Sequence, residues 1–269
     1  MRFGESKMKW RCIKKETCNG KGKAFCGLLR EKPIVRSYHP SDEELEECYL
    51  QHVILCWEQW CKLKHRFVGT ITRRFAATLN INLHEYEKRL PNDIEQALSF
   101  AILHHDIGKL TKEYQEEKWY RHEIIGAYLL YNIFSHEFAE REYGHYLSNV
   151  IGAAIYLHHE AIQLSRGWLK LRSPTLDYLL SKIGHLRFTF ESYAQEIFNL
   201  ATLLMGSKKI NYSLPQNVEG KQIAMSLGRI ICSLDSMPRI NATRLCIASF
   251  LLPITQVDNK AAEIGRGSK

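Results

Sequence analysis

The stretch from Pro91 to Asp106 constrains the fold more than any other part of this chain. After Pro91-Asn92-Asp93, the apolar residues Ile94, Ala97, Leu98, Ala101 and Ile102 recur at the three- and four-residue steps of one helix face. That stripe runs directly into His104-His105-Asp106. Imidazoles and a carboxylate at the end of a buried stripe need partners, since each buried polar group left unpaired costs up to a few kcal/mol, on the order of 1–3. Helical spacing recurs along most of the chain, and the strict alternation of half-buried strands is scarce. The expected fold class is therefore all-α, a helical bundle.

Ser41 with Glu44 forms a capping-box signature ahead of a helical run to about Leu63. Phe67, Ile71, Phe75 and Leu79 line a second amphipathic segment. Further helices are expected over 123–139, 145–161, 174–185, 190–206, 221–235 and 241–264. Ser173-Pro174 supplies a capping hydroxyl followed by proline at the first helical position. Segments 165–173 and 207–220 read as loops. With no internal repeat and no interior boundary, the expected organisation is a basic N-terminal arm, 1–40, and one helical domain, 41–269.

The charge is unevenly placed. Residues 1–37 hold eleven basic and three acidic side chains, which accounts for the whole net charge of +8. Such an arm suits a polyanionic partner through counterion release, and equally suits a solubilising leader. No uninterrupted apolar run reaches the roughly 18–20 residues of a membrane span. The basic N-terminus is not followed by an apolar core, so no membrane association and a cytoplasmic location are expected. The eight cysteines contain no C-x-x-C pair, which argues against a zinc finger and favours reduced thiols.

The histidines are grouped. His105-Asp106 ends one apolar stretch, His122 opens the amphipathic "IIGAYLLYNIF", and His158-His159 ends "VIGAAIYL". Lys109 follows Asp106 by three residues and His105 by four, placing it on their face of a helix. A lone His122 or a lone His-Asp step would be an ordinary core feature. Three groups at helix ends, which bundle packing can bring to one mouth, point instead to a metal site. Neutral imidazoles with a carboxylate suit manganese, iron, cobalt, nickel or zinc, and a carboxylate between two ions can bridge them for phosphoryl hydrolysis. His104 projects about 100° away from His105 on an ideal helix, so it reads as a packing residue or a support for the ligands.

The strings "LHHDIGKLTKEYQ", "RHEIIGAYLL" and "YLHHEAI" resemble the HD-domain nuclease of type I CRISPR–Cas systems, in its stand-alone archaeal form separate from the helicase. The resemblance runs from about residue 48 to the C-terminus. It implies a helical HD fold and a metal-dependent nuclease of antiviral defence, hydrolysing phosphodiester bonds of mainly single-stranded DNA. It further implies one or two divalent ions (manganese, nickel, cobalt, iron or magnesium). The implied partners are single-stranded DNA, a separate helicase subunit and a CRISPR RNA-guided surveillance complex. No Walker-type phosphate loop occurs here, so unwinding would need that separate subunit.

Carried onto this sequence, the family pattern makes His105, Asp106, an early histidine and a late aspartate the ligands of one ion. Asp106, His122, His158 and His159 would hold the other. His52 in "YLQHVILC" is favoured as the early histidine over His65, and Asp258 in "ITQVDNKAAEIGR" as the late aspartate over Asp235. Asp106 would be catalytic as the shared ligand, and Lys109 would meet a phosphate or the developing charge. Trp119 and Tyr120 beside His122 are open to base stacking or to a core role. Two other functions share these features. One is an HD-family nucleotide or cyclic-dinucleotide phosphohydrolase, and the other is a non-catalytic docking module of a ribonucleoprotein complex.

Overall fold

The computed structural model describes residues 26, 28–29, 35–38, 47–86, 88–119, 121–159, 174–206 and 210–266. Most of the basic arm, the Ser41–Glu44 capping box, Ser173, the 165–173 loop and Tyr120 lie outside the described residues. The described elements are β1 (Arg36–Tyr38), β2 (Glu47–Cys48), α1 (Tyr49–Leu79), α2 (Arg89–His104), a 3-10 turn (Ile107–Leu110) and the single-turn α3 (Lys112–Gln115). They continue with α4 (His122–Glu137), α5 (Gly144–Tyr156), α6 (Pro174–Ile183), β3 (Arg187–Thr189), α7 (Ala194–Leu203), β4 (Asn217–Glu219), α8 (Gly220–Asp235) and α9 (Ile240–Arg266).

The two segments expected on either side of residues 63–67 form one helix, α1. No proline interrupts them, and the one glycine, Gly69, is carried within the helix, so propagation continues. The helix ends where Asn80 turns left-handed at φ 56° and its N–H reaches the carbonyls of Ala76 and Ala77. α2 begins at Arg89, and Pro91 sits in its first turn, where a missing N–H breaks no helical bond. Among the described residues the chain is overwhelmingly helical, as expected, with two small antiparallel sheets. β1 pairs with β2, and β3 with β4 in the register Phe188↔Val218. β4 falls within the stretch expected as a loop.

α1 and α9 run antiparallel. Thr78 near the end of α1 lies at Ala242 near the start of α9, and Phe75 packs on Phe250 with ring centroids 6.1 Å apart. α9 is long and apolar enough on average to cross a membrane. In this fold its Cys246, Ile247, Phe250, Ile254, Val257 and Ala261 are instead buried in the core. α2 crosses α1 through the Trp60 indole, which donates to the Ser99 hydroxyl at 2.8 Å. α4 and α5 form an adjacent pair, and α8 packs on both of them. Packing does not follow a boundary at residue 40. Cys26, Leu29 and Val35 belong to the core, and the Tyr49 N–H bonds the Val35 carbonyl at 3.0 Å.

His104 is a core residue. Its ring lies between Phe100 and Phe198, at centroid distances of 4.4 and 4.5 Å. The Thr202 hydroxyl gives its proton to the Phe198 carbonyl, so His104 Nε2–H donates to Thr202 Oγ1 at 3.1 Å. Burial, and secondarily the neighbouring His105, pushes the His104 pKa down to about 3. The folded protein therefore holds a neutral ring where the unfolded chain is protonated below about 6.5. Stability from this residue is complete above that pH and is lost as pH falls towards the folded value. Between about pH 7.5 and about pH 5 we expect His104→Leu to lose about 2 kcal/mol less stability than the parent. Urea unfolding at the two pH values checks this, and equal losses would show that the ring is not kept neutral by the fold.

Candidate metal centre

α2 ends at His104, so His105 and Asp106 stand in a turn rather than on the helix. Asp106 takes φ −93° and ψ 9°, and the chain then tightens into the 3-10 turn. In such a turn residues three apart eclipse one another, which brings the Lys109 ammonium to 2.6 Å from Asp106 Oδ2. The turn is locked against α4 by two glycines. A Cβ on Gly108 would overlap the His122 carbonyl, and one on Gly126 would stand 2.6 Å from the His105 carbonyl oxygen. Each glycine thus admits the backbone of a site histidine on the opposite segment.

The site is assembled from helix ends. α1 supplies His52 from its buried first half, α4 begins at His122, α5 ends just before His158-His159, and α9 supplies Asp258. The donors fall into two groups, His52–Cys56–His105–Asp258 and Asp106–His122–His158–His159, each with its ligand atoms within 4.8 Å of one another. Asp106 faces both. Its Oδ2 lies 3.5 Å from His52 Nε2 and 3.6 Å from His105 Nε2. Its Oδ1 lies 2.9 Å from His122 Nε2 and 3.7 Å from His158 Nε2. Asp258 Oδ1 stands 3.1 Å from His52 Nε2 and 3.4 Å from His105 Nε2.

His105 and His158 are oriented in the same way. Each Nδ1 bonds the carbonyl three residues back, Ile102 at 2.9 Å and Ile155 at 2.6 Å. Spending Nδ1–H there leaves the Nε2 lone pair turned to the centre. Asp106 Oδ1 and His158 Nε2 are fully buried and have no aligned hydrogen-bond partner among the described residues, although His122 Nε2 stands 2.9 Å from Oδ1. Donors gathered around a point rather than paired with one another fit a cation. So does their spacing, since metal–ligand bonds of about 2.0–2.2 Å at tetrahedral angles separate donor atoms by about 3.3–3.6 Å.

Charge agrees with geometry. Burial opposes ionisation of Asp106, but His105, Lys109 and His122 outweigh it and hold the carboxyl well below the usual range. Burial likewise opposes Asp258, and the adjacent His105 and His52 outweigh it and hold its carboxyl low. His122 is pushed down by burial and by Lys109. His158 is pushed up, because Asp106 overcomes its burial. His159 is exposed, bonds His122 Nε2 at 3.0 Å, and marks the solvent side of the site.

The structure brings His52, His105, Asp106, Lys109, His122, His158, His159 and Asp258 together. His65 is exposed farther along α1, and Asp235 is half-exposed at the end of α8; neither belongs to either donor group. Trp119 packs on Phe188 with its indole N–H on the Arg121 carbonyl, a core role. Lys109 is turned inward, its second partner being the Ser37 hydroxyl at 3.3 Å. Sequence reasoning missed Ser37, which is held by Tyr114 and by Gln115, whose side chain bonds both the N–H and carbonyl of Arg36. It also missed Cys56, whose sulfur lies 3.4 Å from His52 Nε2. The four-residue spacing from His52 was a usable signal for Cys56. No sequence pattern pointed to Ser37.

The HD domain family matches residues 64–205. The chain belongs to that family. The match contains His105, Asp106, His122, His158 and His159, whereas His52, Cys56 and Asp258 come from the flanks of the HD domain. Two curated archaeal proteins, each called CRISPR-associated endonuclease Cas3-HD, are similar along most of their length. That of Methanocaldococcus jannaschii is 27% identical over 231 residues, covering 81% of this chain and 86% of its own. That of Pyrococcus furiosus is 21% identical over 226 residues, covering 81% and 89%. The fold is shared with the solved CRISPR-associated Cas3 HD domain protein of M. jannaschii, at a TM-score of 0.56 and 22% identity over 77% of this chain and 94% of that one.

The HD-family turn should tolerate no added carbon at its glycine. Gly108→Ala is expected to cost about 1–3 kcal/mol or more, the range for overpacking against groups that cannot move aside. Denaturant unfolding measures it, and an unchanged midpoint would show that α4 and the turn are not interlocked.

Proposed function

We propose that this protein is a metal-dependent phosphodiesterase, a nuclease of CRISPR antiviral defence that cleaves mainly single-stranded DNA. One observation carries the reading: the two oxygens of a single buried carboxylate, Asp106, face two separate groups of metal donors. His52, His105, Asp258 and Asp106 Oδ2 would hold one ion, and Asp106 Oδ1, His122, His158 and His159 a second. Manganese, nickel, cobalt, iron and magnesium are the candidate ions. Bound there, divalent ions supply Lewis acidity and lower the pKa of water.

The chain's own residues define the rest. His105 and His158, with Nδ1 committed to carbonyls, present fixed lone pairs. Lys109 acts through Asp106 as a positioning residue, since its ammonium is spent on that carboxylate and on Ser37. His159 and the partly open Asp258 face the direction from which a strand arrives.

A nucleic-acid strand is favoured over a small nucleotide by the exposed side of α1. Lys62, Arg66, Arg73 and Arg74 are exposed there, and none is ion-paired among the described residues. Lys62, Arg66 and Arg73 share one stripe, starting about 15 Å along the helix from His52. Continuous phosphates need such a row, whereas a mononucleotide ends within the site. A separate helicase subunit and a CRISPR RNA-guided surveillance complex are the partners that would deliver the strand. The names of the two archaeal relatives support that context.

Purified protein incubated with labelled single- and double-stranded DNA, with each ion or with EDTA, tests the proposal. Cleavage should require metal, and Asp106→Asn should lower it by more than about 100-fold, beyond the loss expected for an outer partner. Cleavage that survives would remove Asp106 from the site, and turnover of mononucleotides without strand cleavage would favour the phosphohydrolase reading. For the basic stripe, Arg66→Ala with Arg73→Ala should flatten the salt dependence of single-strand binding. The slope of log affinity against log salt should fall by about 1.4, or about 0.7 per lost phosphate contact.

A further inference from the structure

The two donor groups differ in one atom type: the group on the α1–α9 side contains a sulfur. Cys56 follows His52 by one helical turn, so both project from the same face of α1. Its side chain is fully buried, and its Sγ lies in one cluster with His52 Nε2, His105 Nε2 and an Asp258 oxygen. Sulfur and nitrogen bound to one ion, at about 2.3 Å and about 2.0–2.1 Å and a tetrahedral angle, stand about 3.6 Å apart. The Sγ–Nε2 distance here is 3.4 Å. Among the described residues the other cysteines, Cys26, Cys48, Cys61, Cys232 and Cys246, belong to neither donor group, and none of the six is in a disulfide.

We propose that Cys56 is a direct thiolate ligand of the ion held by His52, His105 and Asp258, and that it biases this position towards zinc, cobalt and nickel over magnesium and manganese. This rests on the metal-centre reading above. A thiol that coordinates is deprotonated, so its proton leaves to solvent as the ion binds. Thiolate adds a soft donor to imidazole and carboxylate, which raises affinity for borderline ions and adds little for hard ones. The other group, with oxygen and imidazole donors alone, lacks this added soft donor. The two positions of one centre therefore differ in metal preference.

Cobalt(II) titrated into the EDTA-stripped full-length chain tests this by absorption, independently of any activity. Visible d–d bands should rise to saturation together with a near-ultraviolet thiolate-to-cobalt charge-transfer band. Cys56→Ser and Cys56→Ala should lose the charge-transfer band and keep visible bands, while Cys61→Ser keeps both. Zinc affinity of Cys56→Ser should fall at least about tenfold, the lower end of the cost of losing even an outer partner, with manganese affinity little changed. Visible bands without the charge-transfer band in the parent protein, or a charge-transfer band that survives Cys56→Ser, would overturn the thiolate ligand and leave the metal centre standing. Absence of cobalt binding altogether would overturn both. A parent spectrum without the charge-transfer band overturns the thiolate ligand whether or not a variant folds, and circular dichroism shows which of Cys56→Ser and Cys56→Ala is folded and assigns the band.

Discussion

An ionised carboxylate at the middle of a helical core is the constraint around which this structure is built. Asp106 is about as buried as any leucine of the core, yet its neighbours hold it charged. Desolvating such an ion costs several kcal/mol on the order-of-magnitude scale, and that cost is offset only by charge and by well-aimed donors. Lys109 provides one full positive charge at 2.6 Å. Asp258, also held ionised, adds a second negative charge a few ångströms away, beyond His52 and His105. Two carboxylates and one ammonium leave a negative balance in a buried place ringed by imidazole nitrogens. That net charge of −1 favours a bound cation, and this argument is separate from donor spacing.

The same constraint explains why the helices end where they do. α2 must stop at His104, because one more helical turn would carry Asp106 and Lys109 out of eclipse. α4 begins at His122 and α5 ends before His158, which brings both imidazoles to Asp106 Oδ1. Gly108 and Gly126 permit the backbone approach that these entries require. The helix ends are thus set by the site as much as by capping residues, which are sparse: α2, α4 and α5 have no side-chain cap at their N-termini.

Much of this was legible from residue order. Apolar stripes at helical spacing located the helices, because each buries one face. The grouping of His105-Asp106, His122 and His158-His159 at the ends of those stripes located the site, since helix ends are where a bundle exposes side chains to one mouth. The separation of His104 from His105 followed from the 100° step, and the structure places them in a phenylalanine sandwich and at the centre. What stayed hidden depends on contacts between distant segments. Ser37 reaches Lys109 because β1 pairs with β2 next to α1, a short polar pairing without periodicity. The family resemblance favours His52 over His65, and the structure separates them by burial: His52 lies inside, packed against Asp258 of α9, whereas His65 is exposed farther along α1.

That packing also divides the centre into parts of different origin. The HD match ends at residue 205 and begins at 64, so it contains the donors of the Asp106–His158 side and none of the other side except His105. The remaining donors come from α1 and α9, the long antiparallel pair that closes over the domain. Closure by two helices that meet along their length ties the geometry of one metal position to the register of that pair. A shift of α9 by one turn, about 5.4 Å, would take Asp258 away from His52 and leave His122, His158 and His159 untouched. Residues of the α1–α9 seam are therefore the place where the ligand chemistry of one position can change while the HD turn keeps the other intact.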